Sequence, residues 1–169
     1  MAVHSSCVSG PFVWPDQVKT PTITEMFGLT LGDHSLRLPD KETLAGKRVR
    51  EAYMKCVEKD ISPFEKGVIV DVGSSEKFAS YRVEASPCLT ATRCAQRNYF
   101  CSLIGDRLTT NQLQQLQGVD PDRIRWEGVI SSSQMGRIVG NGNCQHVMER
   151  LLPHVLLSAG LIRRLPWSR

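Results

Sequence analysis

The side chains best placed for chemistry are Asp71, Gly73 and Ser74, which close the run Gly67-Val-Ile-Val-Asp-Val-Gly-Ser-Ser75. An apolar run of this length stopped by a glycine reads as a buried strand entering a tight turn. A carboxylate at the carboxyl end of such a strand, beside a glycine that lets backbone approach a ligand, is how many α/β folds begin a nucleotide or cofactor site. Cys144 is a second candidate: it follows Asn141-Gly-Asn at the start of an apolar-periodic segment, and a thiol at a helix N-terminus gains thiolate character. His146 and His154 lie two turns apart within that segment, so they cannot fold back to serve Cys144 as general base. His34 beside Asp33 completes the set, and no pair of histidines has the HExxH spacing of a zinc protease.

Bulk properties frame these candidates. With 169 residues, 41% hydrophobic and 22% charged, the chain has the composition of a single globular domain. The formal charge of +4 is mildly basic, with Lys47, Arg48, Arg50, Arg163, Arg164 and Arg169 prominent, and this permits contact with RNA or phosphate. Six cysteines carry no CxxC pair, which reads as reduced thiols. With no secretory pattern at the start and no bilayer-length apolar run, the expected setting is cytoplasm or an organelle matrix.

Several elements are expected to position the candidates. Residues 1–25, broken by Pro11, Pro15 and Pro21, read as an extended arm, with Phe12, Val13 and Trp14 as a hydrophobic tack. A helix is predicted from about Asp40, its N-cap, to Lys59. Its inward stripe is Ala45, Val49, Ala52, Tyr53, Cys56 and Val57, with Lys47, Arg48, Arg50, Glu51 and Lys55 outward. After the 67–72 strand, Tyr81, Val83 and Ala85 alternate with Ser80, Arg82 and Glu84 as a half-buried strand. The gap of about half a dozen residues suits a hairpin better than a parallel crossover, which normally needs about a dozen residues or more; the cofactor-loop reading needs the parallel arrangement.

Further on, residues 88–97 read as a helical turn holding Arg93 and Arg97, and 98–104 as a third strand. Thr110 to Gln117 reads as a helix stopped by Gly118, and 124–130 and 136–139 as two more strands around a serine run. A last helix is predicted from Asn143, its cap, to Ser158. The expected architecture is an α/β domain over residues 26–169, a single mixed sheet of four or five strands packed by the 40–59 and 143–158 helices, with a truncated Rossmann-like core as one form of it.

The order His34, amphipathic helix, strand into Asp71-Val-Gly-Ser-Ser75, then Ser86-Pro-Cys-Leu-Thr-Ala-Thr-Arg93 resembles that of alphavirus-like RNA-capping methyltransferases, a viral family. The resemblance covers residues 33–97. It implies that the domain binds S-adenosylmethionine through Asp71, Gly73 and Ser74, that His34 accepts guanylate, and that Arg93 is the arginine of the family's Asp-x-x-Arg pair. Thr90 stands where that pair has its aspartate, so the implied activity is methyltransferase-like and RNA-capping-related, in a degenerate form. The segment around Cys144 resembles the nucleophile turn of ovarian-tumour-type cysteine proteases, without their histidine downstream. The alternative of another class is a non-enzymatic binding module, or an accessory subunit of a ribonucleoprotein or organellar complex, docking through Phe12–Trp14 and the basic ends.

Overall fold

The computed structural model describes residues 10–29, 38–75 and 80–167. Two compact units emerge, one made of residues 21–142 and the other of 1–20 with 143–169.

The larger unit is built on a four-stranded sheet in the order β2-β1-β3-β4. Its strands are β1 (Val68–Asp71), β2 (Ser80–Val83), β3 (Tyr99–Cys101) and β4 (Asp106–Arg107). Every pairing is antiparallel: Val68 faces Val83 across β1–β2, Ile69 faces Cys101 across β1–β3, and Phe100 faces Arg107 across β3–β4. The mixed helix-and-strand class holds, and the short gap after β1 does lead into an antiparallel partner. Because no parallel pair occurs among the described strands, they do not form the βαβ crossover of a truncated Rossmann-like core.

β1 is apolar from Val68 to Val70 because both faces of the sheet are covered there. Val68, Val70 and Phe100 point to one face, where they meet Val49, Ala52, Tyr53 and Cys56 of helix α2 (Leu44–Val57). Ile69, Tyr99 and Cys101 point to the other, against Ile23 of α1 (Ile23–Phe27), Cys94 of α3 (Ala91–Ala95), Leu113 of α4 (Thr110–Leu116), and Met135 and Val139 of α5 (Ser132–Asn141). Strand alternation thus feeds two cores rather than one core and solvent.

Local signals explain the helix starts. Thr22, Thr109 and Ser131 each accept a bond from the backbone N–H three residues on, while the side chains of Glu25, Gln112 and Gln134 accept the cap's own backbone N–H. These capping boxes fix α1, α4 and α5. Two of them overturn expectations. Residues 136–139 are not a strand but the middle of α5, and 124–130 is irregular rather than a strand, passing through a turn at Gly128 with φ 80. Ile23, inside the stretch expected to be an extended arm, is 1% exposed and opens α1.

α2 also starts later than expected. Thr43 is its cap and donates its hydroxyl to the Asp40 carbonyl, whereas Asp40 accepts from the Glu42 N–H in the preceding turn. Val57 is exposed instead of inward, and Arg48 is buried instead of outward. Arg48 lies under the turn after β1, its Nη1 donating to the Val72 carbonyl at 2.5 Å. Glu84, in the left-handed region at φ 51, takes the Ile23 N–H at 2.8 Å and the Gly67 N–H at 2.5 Å, tying α1 to the entry of β1.

In the smaller unit, α6 (Gln145–Ser158) carries Pro153 inside it and contains no fully buried residue. Its N-cap is Cys144, without a side-chain capping bond, in place of the expected Asn143. Ser158 donates its hydroxyl to the Gly10 carbonyl at 3.0 Å, and Arg150 Nη2 donates to the Asp16 carbonyl at 2.8 Å, so the arm runs alongside the helix. Phe12 and Trp14 meet edge to face at 5.0 Å, yet Trp14 stays 73% exposed. No helix of the described residues is long and apolar enough to cross a membrane.

Candidate functional site

Strand register decides where Asp71 points. Because Asp71 pairs with Tyr99, it shares a face with Ile69 and Cys101, the face that α3 covers. This brings Asp71 to Arg93: Arg93 Nε lies 3.5 Å from Asp71 Oδ2, with the two side chains 31% and 12% exposed. Arg93 also donates through Nη1 to the Gly73 carbonyl. The structure therefore gathers Asp71, Gly73, Ser74 and Arg93 into one polar cluster. His34 lies outside the described residues.

Within the cluster nearly every polar group is already engaged. Asp71 Oδ1 accepts the Gly73 N–H at 3.0 Å, the side-chain turn that an aspartate makes with backbone two residues on. The Ser74 hydroxyl donates to the Asp71 carbonyl at 2.9 Å, and Ser74 is buried. The Val72 N–H goes to the Asn98 carbonyl at 2.8 Å while Arg48 holds the Val72 carbonyl from beneath. The open side that a glycine offers is also filled, since a Cβ at Gly73 would lie 2.5 Å from Arg93 Nη1 and against the Asn98 amide.

S-adenosylmethionine, the cofactor that the resemblance implies, needs a free carboxylate and open backbone at this turn. Here Arg93 and the Gly73 N–H take the carboxylate, and Arg93 and Asn98 cover the glycine. The residues present do not fit the cofactor.

Thr90, at the position where the resemblance has an aspartate, caps α3 without a side-chain bond. Its N–H donates to the Tyr99 hydroxyl at 3.2 Å, and that hydroxyl donates to the Cys88 carbonyl at 2.8 Å. Arg48 and Asn98 complete the cluster without any sequence signal, because their roles come from the crossing of α2 under the turn and from the β3 register. Arg107 Nη1 reaches towards Asn98 Oδ1 at 3.4 Å, and Arg97 Nη2 donates to the Arg107 carbonyl at 3.2 Å. Arg97 and Arg107 are thus linked, with Arg93 four residues before Arg97; Arg93 is paired with Asp71, and the Asp106 carboxylate accepts the Arg107 backbone N–H at 2.6 Å.

The cysteines of the larger unit lie mostly in the core. Burial pushes the Cys94 thiol up to about 11, with the Asp71 charge adding to it and a hydrogen bond with the Thr90 backbone opposing it. Burial likewise moves Cys101 up to about 11 and Tyr99 up to about 12. Cys94 and Cys101 are inert thiols, and with the Tyr99 phenol they are held neutral. The folded chain retains protons that the unfolded chain releases above the ordinary thiol value of 9.0. The unfolded state thus binds fewer protons, so the stability these two thiols contribute is fully present below pH 9 and is lost as pH rises towards 11, by roughly 1.4 kcal/mol per pH unit for each thiol. Urea midpoints measured from about pH 8 to about pH 11 are expected to drop over that window; a flat profile would contradict the burial of these groups.

In the smaller unit, His146 Nδ1 lies 3.7 Å from Glu149, and the His154 ring is 6.0 Å from that of Trp167. Neither is given a role with Cys144. Among the described residues no three histidine, cysteine, aspartate or glutamate side chains gather as a metal site, and the five cysteines are free thiols. Compared with known proteins, the chain matches no family model, no curated protein and no solved structure.

Proposed function

We propose that this chain is a methyltransferase-like, RNA-directed domain in degenerate form: its own cofactor turn is closed, and it serves as an RNA-binding accessory part of a larger assembly. The observation that carries the reading is the cluster at Asp71. Of the residues that the capping-methyltransferase resemblance singles out, Asp71, Gly73, Ser74 and Arg93 converge, and they satisfy one another instead of facing an open site. The RNA side of the reading draws support from Arg93, Arg97 and Arg107, of which Arg93 alone is ion-paired through its side chain among the described residues. Such a set of arginines suits phosphate contacts, which position a nucleic acid without reading its sequence. The accessory role draws support from α6 and its arm, where no helix residue is fully buried and Trp14, Leu161 and Trp167 are exposed.

Two titrations test this. Fluorescence anisotropy with single-stranded RNA at several salt concentrations is expected to show salt-dependent binding, and Arg107→Ala is expected to lower the salt slope by about 1. Calorimetry with S-adenosylmethionine is expected to give no saturable heat. A saturable heat that disappears in Asp71→Ala would restore the cofactor site and overturn the closed-turn reading, and RNA binding insensitive to salt would overturn the role of these arginines.

A further inference from the structure

A cavity of about 210 Å³ opens in the larger unit where the end of α3 meets the starts of α4 and α5, its lining sharing no residue with the Asp71 turn. Four separate segments line it: Arg97 after α3, Thr110 and Asn111 of α4, Trp126 and Glu127 of the connection, and Ser132 of α5. We propose that this cavity binds one nucleotide, a phosphate-bearing planar base, either free or as a single residue of an RNA strand. The strand-borne form rests on the RNA reading above; the free form rests on the cavity alone.

The lining supplies what such a ligand needs. Arg97 is a fixed cation: its backbone sits in the left-handed region at φ 52, its Nε donates to the Leu108 carbonyl at 3.0 Å and its Nη2 to the Arg107 carbonyl. A guanidinium anchored at its base presents charge to a phosphate with little ordering cost. Trp126 contributes an aromatic wall on which any base can stack. Its indole Nε1–H is buried and has no acceptor among the described residues, an unusual state for a donor of this kind. The Thr110 and Ser132 hydroxyls meet at 2.6 Å and join α4 to α5 beside the cavity, while Asn111 and Glu127 are exposed polar groups able to address a base edge or a ribose hydroxyl.

Size narrows the ligand further. The cavity, at about 210 Å³, lies below the roughly 300–1,000 Å³ of pockets that enclose drug-sized molecules and cofactors, so it would hold the base or the phosphate end of one nucleotide with the remainder facing solvent.

Indole fluorescence titration with adenosine and uridine 5′-monophosphates, inorganic phosphate and a short single-stranded RNA tests the proposal, with Trp126→Phe assigning the signal among the three tryptophans. The monophosphates are expected to quench saturably and more tightly than phosphate alone. Asn111→Phe, which places a ring in the cavity from an exposed position, is expected to weaken them about tenfold or more at an unchanged unfolding midpoint. Should that variant fold poorly, Glu127→Gln serves instead and is expected to tighten monophosphate binding about threefold by removing a like charge. RNA affinity that falls together with monophosphate affinity supports the strand-borne ligand, and RNA affinity that stays constant while monophosphates weaken supports a free nucleotide. Loss of RNA binding with monophosphate binding intact overturns the RNA reading and leaves the cavity assignment standing. Absence of saturable quenching by either monophosphate overturns the cavity assignment, whatever the RNA result.

Discussion

Gly140→Ala is expected to destabilise the protein by about 2–3 kcal/mol, although alanine is the better helix former by about 1 kcal/mol. Gly136 and Gly140 lie one turn apart on the face of α5 that meets α3, a spacing that stacks them along one stripe. A Cβ at Gly140 would fall on the Thr90 carbonyl and the Ala91 N–H, and one at Gly136 would lie 2.6 Å from the Cys94 carbonyl oxygen. These obstacles are backbone atoms, so no side-chain rotation relieves the contact and the two helices must move apart. Separation would loosen Cys94, Met135 and Val139 in the core that these helices share. The control is Gly142→Ala, where φ is −73 and the nearest neighbours of a Cβ are carbonyls at 3.3 and 3.5 Å. That change is expected to be neutral or slightly stabilising. Urea unfolding of the two variants decides the matter: equal or greater stability of Gly140→Ala would mean that α5 does not rest on the α3 backbone.

Phe100→Ala is expected to cost about 3–5 kcal/mol, enough to consume much of the stability of a domain this size. Phe100 is 2% exposed at the middle of β3, paired with Val70 of β1, and packs in the cluster that holds Val49 and Cys56 of α2. Truncation would remove the ring from between sheet and helix and leave a cavity that neither rigid element can fill. Phe100→Leu is expected to lose about half as much, and Val129→Ala, at a position 80% exposed, is expected to stay within about 0.5 kcal/mol of the parent. Circular dichroism melts of the three variants rank them, and a melt of Phe100→Ala indistinguishable from that of Val129→Ala would place the sheet core elsewhere.

The parts of the fold legible from sequence are those written in short-range patterns. The apolar run before Asp71 announced a buried strand, and the few residues after it announced an antiparallel partner. The threes and fours from Ala45 to Cys56 announced α2. The segment 131–141 was legible in principle and misread: Ser131 and Gln134 spell a capping box, but Gly136 and Gly140 look like punctuation. Their function is close helix contact, which exists only once α3 is in place. Arg48 was expected in solvent on the strength of its charge, and it is buried because a carbonyl of the β1 turn lies within its reach. Gln114 is fully buried with no partner for either amide atom among the described residues, and nothing in the pattern of α4 foretold it.

For the candidate site the division is the same. By itself the sequence determined that Asp71 would end a central strand beside a glycine turn, since hydrophobic alternation and turn chemistry act over a few neighbouring residues. Only the tertiary structure decided what that carboxylate does. The pairing of Asp71 with Tyr99 turns its side chain towards α3, and the position of α3 puts the Arg93 guanidinium there. A shift of one residue in that register would carry Asp71 to the α2 face, and contacts so remote in sequence are fixed by packing of both cores at once, which no local pattern encodes.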